Sequence, residues 1–154
     1  MGYSYDFFVA ALTCPHCGVV SKENYTTKMQ TSIRDEDTDG VYMGVGFPLV
    51  LNLPEMEELN YIPILPVVEG ETIRIGHSWV CVSCMWARRW AVVEVAENVI
   101  QKIEDIDIKK ELIKLNYVHF DIVDELHAVL GISYDDLMDS DISALSKKLY
   151  STES

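Results

Sequence analysis

The chain is 154 residues long, 49% apolar, and carries 25 acidic against 12 basic side chains, a formal net charge of −13. That length suits one domain with at most an appendage, and that apolar content builds a core where a disordered chain would not. No run approaches the ~20 apolar residues that a membrane-spanning helix needs. The charge repels nucleic acid, whose binding depends on Lys and Arg neutralising phosphates, and it favours solubility and basic partners.

Met1 to Asp6 has neither the basic region nor the apolar run of a secretory signal, so the expected location is the cytoplasm. Tyr3 to Leu12, with Phe7, Phe8, Val9 and Leu12, reads as a mostly buried strand running into Cys14-Pro15-His16-Cys17. Polar Ser21 to Asn24 is a turn. From Tyr25 the residues alternate, which puts Tyr25, Thr27, Met29, Thr31 and Ile33 on one strand face. Arg34 to Gly40 is an acidic loop. Asp35, Asp37, Asp39 and Gly40 match the opening of a calcium loop, but the twelfth position is Gly46 instead of a glutamate, and a solvated hairpin loop is the better reading.

Residues 41–66 form a long insertion broken by Pro48, Pro54, Pro63 and Pro66, with a helical turn expected at Pro54 to Leu59. Its apolar pieces either pack on the body or form an exposed binding edge. Glu69-Gly70 is a turn, Thr72 to Ile75 a short strand, and Ser78-Trp79-Val80 leads into Cys81-Val82-Ser83-Cys84. Trp86 to Val95 and Val99 to Ile106 are strands joined by a turn at Glu97-Asn98. From Asp107 the period becomes helical: Ile108, Leu112 and Leu115 predict a helix to Asn116, and further helices are expected over Asp121 to Leu130 and from Asp141 to Leu149.

All four cysteines lie in the two C-x-x-C units. Two residues between thiolates let one tight turn present both sulfurs to one ion, and two such turns fill a tetrahedral shell. Cys14, Cys17, Cys81 and Cys84 are therefore the expected ligands of a structural Zn2+, with no cysteine left over and no open position. Gly18 suits the left-handed turn after the first pair; Met85 follows the second, which has to turn differently. The pattern resembles a zinc ribbon, in which two such turns on β-hairpins face each other across the metal. The resemblance covers the two turns and their flanking strands only, and the 63 residues between Cys17 and Cys81 far exceed the usual spacing of compact sites. A redox C-x-x-C would sit in a βαβ unit, and disulfides would need an oxidising compartment.

Trp79, Trp86 and Trp90 bracket the second turn, with Arg88 and Arg89 beside them. They suit a base-stacking platform or, in better accord with the charge, a shield and small core around the metal. His77 is placed to donate a hydrogen bond near the metal ligands. Leu126 to Leu149 loosely resembles a helix-turn-helix, but Asp135, Asp136, Asp139 and Asp141 would meet phosphate. No nucleophile elbow or phosphate-cradling loop occurs, and with acids so abundant no carboxylate pair stands out.

The expectation is an α+β protein. A β-rich, zinc-ribbon-like body spans residues 1–106, and C-terminal helices over 107–154 pack on it. Its function is expected to be non-enzymatic: an acidic zinc-binding module for another, basic protein, in its sharper form an inhibitor or immunity-type protein. Asp35, Glu36, Asp37, Asp39, Asp135, Asp136 and Asp139 are the candidate partner-binding acids. The alternatives are a nucleic-acid-binding or transcription-associated zinc ribbon and a metal-dependent enzyme.

Overall fold

The computed structural model of this chain describes residues 6–23, 27–31, 33, 40–84 and 87–122. Among them, β1 (Asp6–Phe8), β2 (Gln30–Thr31) and β3 (Tyr42–Met43) form a three-stranded sheet in the order β2-β1-β3. A five-stranded sheet contains β4 (Tyr61–Pro63), β5 (Ile73–Cys81), β6 (Ala87–Ala96), β7 (Val99–Asp105) and β8 (Tyr117–His119), in the order β4-β8-β5-β6-β7. The β5–β6 hairpin is its axis, paired from Ile73 opposite Val95 to Cys81 opposite Ala87. Ile73, Ile75, Val80, Val92, Val93 and Val95 give this hairpin the β-branched content of strands covered on both faces. Glu97 and Asn98, both at positive φ, turn β6 into β7 with the twist that a tight hairpin requires.

Alternate residues of the hairpin face two cores. Ile75, Trp79, Cys81, Ala91 and Val93 join Phe8, Met29, Ile33 and Met43 in the larger one. Val92, Ile62, Ile64 and Val118 meet Ile108, Leu112, Leu115 and Ile122 in the other. The alternation expected from Tyr25 is visible in burial: Thr27, Met29, Thr31 and Ile33 are inside while Lys28 and Gln30 are exposed. Only Gln30–Thr31 pairs as strand, and Lys28 sits at positive φ. The insertion packs down. Leu49, Met56, Leu59, Tyr61, Ile62 and Ile64 are buried, a short helical turn over Leu53–Glu55 carries Pro54 at its start, and Pro63 is accepted because β4 is an edge strand.

The α+β expectation is corrected: the protein is essentially all-β, with no helix of seven residues among the described residues. The predicted helix from Asp107 shrinks to α1 (Ile108–Glu111) and a tighter turn over Leu112–Lys114. Its apolar face was read correctly, since Ile108, Leu112 and Leu115 are all buried. Tertiary pairing stops the helix. Leu115 is extended, the Asn116 N–H donates to the Arg74 carbonyl, and its side chain accepts from the Arg74 N–H at 2.9 Å and donates to the Pro66 carbonyl at 3.1 Å. Tyr117–His119 then enters the larger sheet between β4 and β5. The helices expected over 121–130 and 141–149 fall, apart from residues 121 and 122, outside the described residues.

Thr72 to Ile75 and Ser78 to Val80, expected as separate pieces, form one strand through Gly76. A Cβ at Gly76 would lie 2.7 Å from Leu115 Cδ1 and 3.3 Å from Val118 Cγ1, so only glycine lets these residues approach the strand so closely. Gly76→Ala is expected to destabilise by about 1–3 kcal/mol through overpacking. Urea unfolding measures this; a midpoint equal to wild type would mean that the 115–118 segment yields freely.

Candidate metal centre

The first cysteine turn is a small hairpin of its own. Thr13 bridges Val20, the Cys14 N–H donates to the Val19 carbonyl at 3.0 Å, and the Gly18 N–H returns to the Cys14 carbonyl at 2.9 Å. Gly18 takes φ +75, the left-handed value expected for it. Ser21 clamps the base of the loop: its Oγ accepts from the Leu12 N–H and donates to the Ala10 carbonyl, each at 2.9 Å. The second turn lies at the tip of the β5–β6 hairpin. Cys81 ends β5 and Val82–Cys84 forms one tight helical turn, a different shape from the first.

The two turns bring the four sulfurs together. Cys14 Sγ lies 3.7 Å from Cys84 Sγ, and Cys17 Sγ lies 3.6 Å from Cys81 Sγ. All four lie within 4.8 Å of one another. A tetrahedral Zn2+ with ~2.3 Å bonds to sulfur requires edges of about 3.8 Å, whereas a disulfide requires about 2.05 Å. The separations fit ligands around one ion and exclude bonded pairs; all four cysteines are free thiols.

The donor chemistry fits a cation as well. Burial alone would push the Cys14 thiol up, but the Cys17 N–H, the Arg89 guanidinium and the His16 N–H outweigh it and hold Cys14 at about 5. Cys84 is pushed up to about 12 by its hydrogen bond to Cys17, then by burial and by Cys14. Cys81 is also raised, by burial first and then by Cys14 and Cys17. Without a metal Cys14 ionises readily while Cys81 and Cys84 resist ionisation. A bound dication would remove that resistance and let all four ionise.

Arg89, singled out in the sequence only as part of a base-stacking alternative, lies instead beside the cysteine cluster. Its guanidinium is close enough to the sulfurs for Cys14, first, and then Cys84 to raise its basicity. The signal was present in the hairpin register. Arg89 lies directly opposite Trp79, and therefore on the face that carries Cys81. Four thiolates around Zn2+ leave a net charge of −2, which an adjacent guanidinium offsets. Arg89→Gln is expected to weaken zinc affinity roughly 10–100-fold, with partial recovery in Arg89→Lys. Competition against a chelator of known affinity measures both, and an unchanged affinity in the glutamine variant would exclude the role.

Trp79 and Trp90 serve as core. Trp79 is 1% exposed and its Nε1–H donates to Asp105 Oδ1 at 2.8 Å; Trp90 packs on the second core. Trp86 lies outside the described residues. His77 does not reach the metal ligands as expected. It is buried, shares a 2.6 Å hydrogen bond with the Tyr61 hydroxyl, and stacks on His119 with ring centroids 4.5 Å apart. Asp35, Glu36, Asp37 and Asp39, like Asp135, Asp136 and Asp139, lie outside the described residues.

Compared with known proteins, the chain matches no family model, no curated protein and no solved structure. Among the described residues, no helix is long and apolar enough to cross a membrane.

Proposed function

We propose that this is a zinc-stapled protein-binding module. The observation that carries the first half is the sulfur tetrahedron, with edges of 3.6 and 3.7 Å drawn from two hairpin turns 63 residues apart. Four protein ligands close the shell, which supports a structural ion over a catalytic one, since a catalytic zinc keeps a position for water or substrate. Two facing cysteine turns also support the zinc-ribbon-like reading. The purified protein should contain one zinc per chain. Its cobalt-substituted form should show thiolate charge-transfer bands that azide and other small ligands leave unchanged; a ligand-sensitive spectrum would reopen the enzyme reading.

The second half rests on charge. A net −13 favours a basic partner and opposes nucleic acid. An inhibitor or immunity-type protein is the sharper version, with carboxylates occupying the place of phosphates on a basic site. Such a complex should weaken steeply with salt, mainly through its association rate. A nuclease-treated pull-down from the native host at low and high salt tests it. A stoichiometric basic protein lost at high salt is the expected result, and recovery of nucleic acid alone from an untreated sample would favour the ribbon alternative. That alternative needs aromatic rings and arginines free to meet bases and phosphates, yet Trp79 is buried and Arg89 is turned onto the sulfurs.

A further inference from the structure

At the end of the β5–β6 hairpin opposite the cysteines, the surface opens into a groove of about 730 Å³. Ile73 and Cys81 are the two ends of the nine-residue β5, which puts this groove about 25 Å from the sulfurs along the strand. Its lining is mixed: aliphatic side chains, among them Leu51, Val68 and Val95, alternate with Glu69, Glu71 and Glu97. Val68 is 54% exposed and nearby Val50 71%, so apolar surface is open to water here.

The charge around the groove has one sign. No Lys, Arg or His lines it. From Gly40 to Ile73 the chain has five glutamates (Glu55, Glu57, Glu58, Glu69 and Glu71) and no basic residue. The first cation beyond, Arg74, is already held by Glu111 at 3.2 Å and Glu94 at 3.8 Å, and Lys102 is held by Glu104 at 2.9 Å. Among the described residues, Glu69, Glu71 and Glu97 make no ion pair. The aliphatic part of a cleft of this size takes aliphatic side chains, and three unpaired carboxylates in its lining set the charge of whatever carries them.

We infer that this groove docks a segment of a partner protein in which lysine or arginine flanks an aliphatic side chain. The aliphatic group fills the cleft, and the flanking cations meet Glu69, Glu71 and Glu97. This places on one surface the basic-partner reading given above, and rests on it. It also makes the metal a remote support of the fold that has no contact with the partner.

The zinc-loaded full chain, labelled with 15N, would be titrated with a synthetic peptide of alternating leucine and lysine, and with its glutamate-for-lysine counterpart. The lysine peptide should shift the amides of Val68, Gly70, Ala96 and Glu97, while the glutamate peptide should shift none of them. The triple variant Glu69→Lys, Glu71→Lys, Glu97→Lys should weaken binding roughly tenfold or more. A control triple of acids outside residues 40–73, Glu23→Lys, Glu104→Lys, Glu153→Lys, should bind nearly as well as wild type. Equal weakening by both triples would reduce the effect to net charge and overturn the groove. Shifts that map elsewhere would overturn the groove and leave the basic-partner reading standing. No binding of the lysine peptide, or equal binding of both peptides, would overturn the groove's charge selection.

Discussion

Stripping the metal should unfold the protein or lower its melting temperature by roughly 10–20 °C. Structural zinc sites of this kind bind with about 10–16 kcal/mol of apparent free energy, and because the unfolded chain has no preformed site, much of that is folding free energy. A typical domain is stable by only about 5–15 kcal/mol in total. Even a third of the binding energy, spread over a chain of this size, moves the melting temperature by that amount. The geometry says where the loss begins. The first cysteine turn is tied down by the Thr13–Val20 bridge, the Ser21 clamp and the sulfurs, and Val19 and Val20 on its returning arm are exposed. Few apolar contacts hold this loop beyond Leu12 and the buried Cys14. Thermal melts under reducing conditions, with and without a strong chelator, measure the effect, and added zinc should reverse it. Cys17→Ser, at an exposed ligand, should reproduce the chelated state without a cavity in the core. A metal-free protein that melts where the zinc form does would show that the sulfurs are not a structural site.

The four-cysteine cluster, a candidate metal site, was legible in the chain because its signal is local. Two C-x-x-C units fix four ligands whatever lies between, and Gly18 announced the left-handed residue of the first turn. Strands β6 and β7 were legible too, since both have β-branched runs bounded by the turn at Glu97-Asn98, whereas β5 was read as two pieces. The segment after Asp107 was misread for a physical reason. Ile108, Leu112 and Leu115 do share a buried face, but the backbone groups of Asn116 to His119 gain more by joining the larger sheet than by extending a helix. Periodicity reports which side chains are inside, and it is silent about partners distant in sequence. Arg89 and His77 were misplaced on the same account. Both lie on the hairpin face that carries Cys81, but Arg89, opposite Trp79, is one pair nearer the sulfurs than His77, opposite Ala91.

Stability should fall as the pH drops below about 6.5, and His77 should account for a distinct share of that fall. The imidazole closes a buried chain of hydrogen bonds. The Ile33 N–H donates to Thr31 Oγ1, the Thr31 hydroxyl meets the Tyr61 hydroxyl, and the Tyr61 hydroxyl meets His77 Nε2. With a neutral ring every donor in that series finds an acceptor, and Tyr61 donates to the last nitrogen. Protonating Nε2 would set one proton against another and leave the Tyr61 hydroxyl without its acceptor. Phe8 packs edge-on against the ring and His119 lies across it, so nothing here compensates a positive charge. Burial first, and the neighbouring His119 second, hold His77 well below the ordinary 6.5. Because the folded-state value lies below the unfolded one, this contribution is fully present above pH 6.5. It is lost as the pH falls, since the unfolded chain takes up a proton that the folded chain refuses. Each pH unit below that point costs up to about 1.4 kcal/mol per such group. The cysteine ligands also compete with protons, so the wild-type slope alone does not isolate the histidine. His77→Gln separates them: its amide oxygen can accept from Tyr61 and does not titrate. Urea unfolding of both proteins between pH 4.5 and 7.5 should give a shallower decline in the variant, by close to one proton. Parallel curves would place the acid sensitivity in the metal ligands and remove His77 from the account.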